Sequence, residues 1–222
     1  MKTALIDMDG VLYDSMPFHA RAWHRMISEL GLECTVDEFF LYEGMTGAAT
    51  IELIFKRHDL PVPSPERIKE LYARKAKYFV EMGQKRPMPG ADRMIRALLD
   101  AGWKTVLVTG SAQSSLIDRL EEDYPGAFPP DRRVTALDVV HGKPDPEPYL
   151  KGMAIAGSEP EDTIVIENAP LGVRAGVAAG LRTFAVTTGP IPRKAFEAEH
   201  PTAIYPSMTE FADALPDLLP TL

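Results

Sequence analysis

Four short apolar runs rich in β-forming residues punctuate the chain: Thr3 to Ile6, Thr105 to Val108, Thr163 to Ile166 and Thr183 to Val186. None alternates with polar residues, which is the pattern of strands covered on both faces of a parallel sheet. Between them the hydrophobic period lengthens to that of a helix. Met94, Ile95, Leu98 and Leu99 make one stripe closed by Gly102, and Leu116, Ile117 and Leu120 make another that opens after Ser111. Strands alternating with helices predict an α/β fold with a doubly wound parallel sheet.

The interval between the first two runs is far too long for one crossover, and its patterns are helical from Ser15 to Arg86. Trp23, Met26, Ile27 and Leu30 share a helix face that ends at Gly31, Thr35 and Glu38 have capping-box spacing, and Ser64-Pro65 is a helix start. Ile68, Leu71, Tyr72 and Phe79 continue that last helix towards Gly83. The expected organisation is therefore a core of residues 1–14 and 87–222 carrying an inserted α-helical cap, residues 15–86. Its hinges fall at Asp14 to Pro17 and Arg86 to Gly90, where proline and glycine break the period. A lobe over a sheet edge can exclude water from a site beneath it.

Composition narrows the function. Of 222 residues, 45% are hydrophobic and 25% charged, enough for a substantial core. The net charge is -8, with 32 acidic against 24 basic residues and no basic block, so nucleic acid is not an expected partner. Cys34 is the only cysteine, which excludes an internal disulfide, agrees with a reducing compartment and is expected to be a small buried apolar residue. Asp7 and Asp9 fall where a secretory leader needs its apolar stretch, and no later run approaches membrane-spanning length. The expectation is a cytoplasmic monomer with no membrane partner.

The chemistry clusters at strand ends. Asp7-Met8-Asp9-Gly10 follows the first run directly, placing two carboxylates at the edge where open α/β sheets hold their sites. The alternatives are a plain turn or a calcium loop, the latter requiring a preceding helix and more oxygen ligands. As an active site, the pair supplies a covalent nucleophile, Asp7, and a general acid and base, Asp9. Thr109, Gly110 and Ser111 follow the second run, and their hydroxyl and N–H groups suit a phosphoryl oxygen; Ser111 also reads as an ordinary N-cap. Lys143 stands in the stiff turn Gly142-Lys143-Pro144, able to clamp a nucleophile and an anion, while His141 beside it reads as a loop residue. Glu167 and Asn168 end the third run, where Asn168 can offer an oxygen to a hard cation and Glu167 can orient the shell.

These four segments, in this order, resemble the haloacid dehalogenase superfamily, and the match spans almost the whole chain. The resemblance implies that Asp7 is the nucleophile, Asp9 the acid and base, Thr109 the phosphoryl ligand and Lys143 the charge clamp. It also implies a Mg2+ site of Asp7, the Asp9 carbonyl and Asn168. Asp9 favours phosphoryl transfer over carbon–halogen cleavage. The helical cap is similar to that of the β-phosphoglucomutase branch, whose cap histidine and lysine align with His19 and Lys75, a pair the resemblance places at the substrate; an exposed helix lysine is the plain alternative for Lys75. The loop Glu43-Gly44-Met45-Thr46-Gly47 departs from the mutases, which carry lysine and arginine where Glu43 and Gly47 stand. Asn168 likewise replaces the usual metal-binding aspartate, and Glu43 can restore the lost charge. These departures look most like the superfamily's inorganic pyrophosphatases. The expected activity is thus a magnesium-dependent phosphohydrolase acting on pyrophosphate or another small phosphorylated substrate. Sugar-phosphate phosphatase, β-phosphoglucomutase and noncatalytic phosphate-binding protein remain its rivals.

Overall fold

The structure, a computed structural model, describes residues 1–83, 85–112 and 114–222, Ser114 by its backbone alone. Six strands are found among the described residues: β1 (Thr3–Ile6), β2 (Lys104–Val108), β3 (Arg133–Val134), β4 (Thr163–Glu167), β5 (Arg182–Val186) and β6 (Ala203–Tyr205). All pair in parallel, in the order β3-β2-β1-β4-β5-β6. The four apolar runs are the central strands. The two short edge strands carry too few apolar residues to stand out from loop sequence.

Successive strand residues face opposite layers. Ala4, Ile6, Leu107, Ile164, Ile166 and Phe184 belong to one apolar layer, whereas Leu5, Val106, Val108 and Val165 belong to the other. Against the first lie α5 (Ala91–Asp100), through Met94, Ile95 and Leu98, and α11 (Met208–Leu218), through Phe211 and Leu215. Against the second lie α8 (Glu147–Ala156), through Tyr149, and α9 (Pro170–Ala178), through Ala175. The short α10 (Arg193–Glu197) precedes β6.

The stripe expected to run as one helix from Ser111 is two short helices, α6 (Ser114–Ile117) and α7 (Leu120–Asp123). Leu116 and Leu120 are buried as the stripe requires. The helix nevertheless breaks before Arg119, whose guanidinium bonds the Lys85 carbonyl and Asp123. The Ser111 N–H donates to the Thr109 hydroxyl at 3.0 Å.

The stretch expected to form the cap contains α1 (Met16–Ser28), α2 (Glu38–Leu41), α3 (Gly47–Arg57) and α4 (Pro65–Glu81). Ser64 caps α4 by accepting from the Arg67 N–H, and the Thr35 hydroxyl accepts from the Glu38 N–H. Trp23, Met26, Ile27, Phe39, Ile51, Ile54 and Leu71 form an apolar cluster that continues into Val173, Ala185 and Phe196 of the core. Cys34 is half-buried, not fully enclosed, because it lies on the loop between α1 and α2.

The cap sits tightly on the core through loop 43–47. A Cβ built on Gly110 would lie 2.4 Å from the Gly44 carbonyl oxygen, and one on Gly142 would lie 2.5 Å from the Thr46 methyl. Contact this close is open only to residues without side chains. Gly110→Ala should therefore fold but fail to seat loop 43–47. Unchanged far-UV circular dichroism with faster proteolytic cleavage within the loop is the expected result; unchanged cleavage would show that the seam tolerates a methyl group.

Candidate active site

The strand order reverses direction at β1, with β2 on one side and β4 on the other, which is where open α/β sheets form a crevice at their carboxyl ends. Since Ile6 is level with Leu107 and Ile166, the next residues, Asp7, Val108 and Glu167, stand level across three strands. Asp7 and Glu167 have the parity of Leu5 and Val165 and so face the α8 layer. Lys143 comes from the loop before α8 and meets them there. Its fully buried Nζ donates to Asp7 Oδ1 at 2.6 Å, Glu167 Oε1 at 2.6 Å and the Val108 carbonyl at 3.1 Å.

Glu167 is a bracket behind the site. Oε1 also accepts from the Tyr149 hydroxyl at 2.8 Å, and Oε2 accepts from the N–H groups of Asn168 and Ala169. With both oxygens engaged by protein donors, its action on any bound group is to hold Lys143 and Asn168 in place. Asn168 lies over Gly10, where an added Cβ would be 1.9 Å from Nδ2. Gly10 also has a φ of 82°, so glycine is required there twice over.

Asp9 is bound from the cap. Its Oδ1 accepts from the Ser15 hydroxyl at 2.6 Å and lies 2.9 Å from His19 Nε2. Lys75 Nζ is 2.5 Å from His19 Nδ1, an order of donors that puts the imidazole proton on Nε2. Lys75 is thus buried, not on an exposed helix face. Burial opposes ionisation of Asp9, but His19, Ser15 and Lys75 together hold its carboxyl below the ordinary range. Burial brings Lys75 down to about 7.

Glu43 is buried as well, reaching down from loop 43–47 to accept from Asn168 Nδ2 at 3.2 Å. These residues enclose a cavity of about 60 Å³ whose lining includes Asp7, Asp9, His19, Glu43, Lys75, Thr109, Gly110, Ser111 and Asn168. Every substrate-binding residue expected from the sequence is thereby brought together, with Lys143 and Glu167 immediately behind. Tyr72 also lines it. Its ring occupies the space above Gly47, where a Cβ would be 2.1 Å away, and its hydroxyl accepts from the Ala112 N–H at 3.2 Å.

Three residues here escape sequence reasoning. Ser15 precedes α1, but its hydroxyl makes no capping bond and turns to Asp9 instead. Tyr72 and Tyr149 fit apolar helix stripes, and nothing in their spacing reveals the hydroxyl contacts.

The donor set fits a divalent cation. Glu43 Oε1 and Asn168 Oδ1 are buried without a hydrogen-bond partner among the described residues, a costly arrangement unless positive charge faces them. Asp7 is pushed up to about 8 by burial, with Lys143 opposing and the charges of Glu167 and Asp9 adding to the rise. Glu43 is raised well above its ordinary value by burial and then by Asp7, Glu167 and Asp9. Oxygen donors of this kind suit magnesium. A separate group of His141, Asp145 and Glu147 has ligand atoms within 4.8 Å of one another. Its Glu147 is already occupied by the Val140 and His141 N–H groups of the preceding loop and by Lys151.

Comparison with known proteins gives the family. A family model for haloacid dehalogenase-like hydrolases matches residues 1–180. Hexitol phosphatase A of Escherichia coli strain K12 is 32% identical over 186 residues, covering 83% of this chain and 82% of that protein. The β-phosphoglucomutase of Bacillus subtilis strain 168 is 25% identical over 197 residues, covering 85% of this chain and 84% of its own. A solved Bacteroides vulgatus structure, provisionally assigned as a β-phosphoglucomutase, superposes with a TM-score of 0.95 at 40% identity, covering 100% of this chain and 90% of that one. No helix among the described residues is long and apolar enough to cross a membrane.

The raised Asp7 carboxyl yields a prediction about stability. The unfolded chain ionises near 3.8, whereas the metal-free folded chain holds the proton until about 8. Across that window the folded state binds more protons, so stability falls as pH rises. Metal-free Asp7→Asn should melt higher than wild type by a margin that widens from pH 5 to about pH 8, and magnesium should narrow that margin by stabilising wild type. A margin independent of pH and of magnesium would contradict this account of the site.

Proposed function

Because the chain belongs to the haloacid dehalogenase-like hydrolase family, we propose that it is a magnesium-dependent phosphohydrolase whose preferred substrate is inorganic pyrophosphate. In this reading Asp7 attacks phosphorus, an aspartyl phosphate forms, and the bond to the leaving oxygen breaks as Asp9 protonates that oxygen. Asp9 then takes a proton from the water that hydrolyses the intermediate. Lys143 neutralises the nucleophile and the incoming anion, while Thr109, Gly110 and Ser111 receive phosphoryl oxygens. Asp7, the Asp9 carbonyl, Asn168 Oδ1 and Glu43 Oε1 would hold the magnesium, with Glu167 fixing Asn168 from behind. When bound, the ion offsets the charge of the phosphoryl group. Residues 15–86 act as the lid, and closure presses His19 against Asp9.

The observation that carries the substrate assignment is the buried Glu43–Asn168 contact at 3.2 Å across the lid seam. An acidic group at this seam leaves less room for a larger substrate, and Tyr72 lines the same cavity. The remaining cavity of about 60 Å³ favours a compact, highly charged anion over a hexose phosphate. Hexitol phosphatase A among the relatives supports a second reading, a sugar-phosphate phosphatase using the same chemistry.

Asp7→Asn and Asp9→Asn should each fold and lose almost all turnover, one lacking the nucleophile and the other the proton carrier. Wild-type rates in either would reject the mechanism. Glu43→Ala should lower kcat/KM for pyrophosphate at saturating magnesium more than for a small phosphate ester, since lid closure then no longer completes the site. Equal losses, or a wild type that prefers β-glucose 1-phosphate, would transfer the assignment to the sugar-phosphate reading.

A further inference from the structure

The chain crosses between core and cap twice, and both crossings are gripped by one core ion pair. The outgoing and returning segments pair antiparallel: the Met88 N–H donates to the Leu12 carbonyl at 2.8 Å, and the Asp14 N–H donates to the Arg86 carbonyl at 3.0 Å. Arg119, between α6 and α7, donates to the Lys85 carbonyl at 2.8 Å on the returning segment. It also pairs with Asp123 at 2.9 Å. Asp123 in turn accepts from the hydroxyl of Tyr13 at 2.9 Å, on the outgoing segment, and the Arg119 guanidinium lies 5.7 Å from the Tyr13 ring centroid. Tyr13 is fully buried, and Tyr124 packs edge-on against it at 5.9 Å.

The grip continues into the cap. Lys85 Nζ donates to the carbonyls of Phe79 and Gly83 at the end of α4, and it lies 4.0 Å from the Phe79 ring centroid. The Phe79 ring packs on His19 with centroids 4.1 Å apart, and His19 touches Asp9. Packed contacts therefore run without a gap from Arg119 through Lys85 and Phe79 to His19. Arg119 is absent from the cavity lining, so it acts only through these neighbours.

We propose that Arg119 is a positioning residue that clasps both hinge segments and holds the cap in the closed arrangement where His19 meets Asp9. For its kinetic consequence the proposal rests on the phosphohydrolase reading above. Without the clasp the closed form is less populated in the free protein, which weakens apparent substrate affinity; saturating substrate restores closure.

The test compares Arg119→Met and Arg119→Lys with wild type by amide hydrogen exchange and by pyrophosphate kinetics. In Arg119→Met, exchange of the Asp14 and Met88 amides should rise about tenfold, the scale of losing a charge-assisted hydrogen bond, with the Leu5 and Val165 amides unchanged. KM for pyrophosphate should rise by about the same factor while kcat stays within about twofold, and Arg119→Lys should recover most of both changes. Hinge amides exchanging as in wild type, a fall in kcat at unchanged KM, or no recovery with lysine would overturn the clasp. If Arg119→Met does not fold, Asp123→Asn carries the exchange and KM comparison: the same rises are expected, and wild-type hinge exchange or a fall in kcat at unchanged KM would overturn the clasp. A wild type that hydrolyses no phosphate would reject the proposed function instead, and the exchange measurement would then decide the clasp by itself.

Discussion

One buried ammonium group governs the arrangement of the site. Lys143 Nζ lies at the level where β1, β2 and β4 end, bonded to Asp7, Glu167 and the Val108 carbonyl. Burial opposes its charge, but the two carboxylates raise its pKa above the ordinary lysine value. A buried charge is tolerated when paired on all sides, and breaking such a group strands its partners. The same bonds fix the direction of the Asp7 carboxylate and, through Glu167, the backbone of Asn168. Ordering the sheet tips and aiming the Asp7 carboxylate are thus one interaction.

What this interaction leaves uncompensated is as informative as what it satisfies. Asp7, Asp9, Glu43 and Glu167 line or support one small cavity, with Lys143 touching Asp7 and Glu167, His19 touching Asp9, and Lys75 reaching Asp9 only through His19. The cationic contacts are concentrated on two sides of the cavity, beneath Asp7 and beside Asp9. The third side, where Asn168 Nδ2 donates to one Glu43 oxygen, leaves Glu43 Oε1 and Asn168 Oδ1 without a hydrogen-bond partner among the described residues. This asymmetry is a local conflict of the kind that folded chains retain at functional sites, where stability alone would have removed it.

Much of this was legible from residue order, and the parts that were not share a cause. The four central strands stood out because a strand buried on both faces needs an unbroken apolar run, and Asp7, Thr109, Glu167 and Asn168 followed because they occupy the positions immediately beyond those runs. β3 and β6 have two and three residues, too few to make a pattern. The break between α6 and α7 and the turning of Ser15 towards Asp9 depend on partners distant in the chain or on a choice between two hydrogen bonds. Periodicity records only which face of an element is buried. The burial of Lys75 shows the same limit, since its helix reads identically whether that face meets solvent or another lobe.

The placement of the cap within the chain also shapes how the molecule can assemble. Thr3 of the first strand pairs with Lys104 on one side and Thr163 on the other, so the strand at the centre of the sheet must wait for both neighbours to be synthesised. The cap helices intervene and can gather around Trp23, Phe39 and Leu71 from nearby segments alone. Contacts between distant segments close more slowly than local ones, and the exposed edges of unpaired strands invite association with other chains. On the ribosome, the four helices between β1 and α5 therefore have the opportunity to form first, while the strand that ends at Asp7 remains without its sheet.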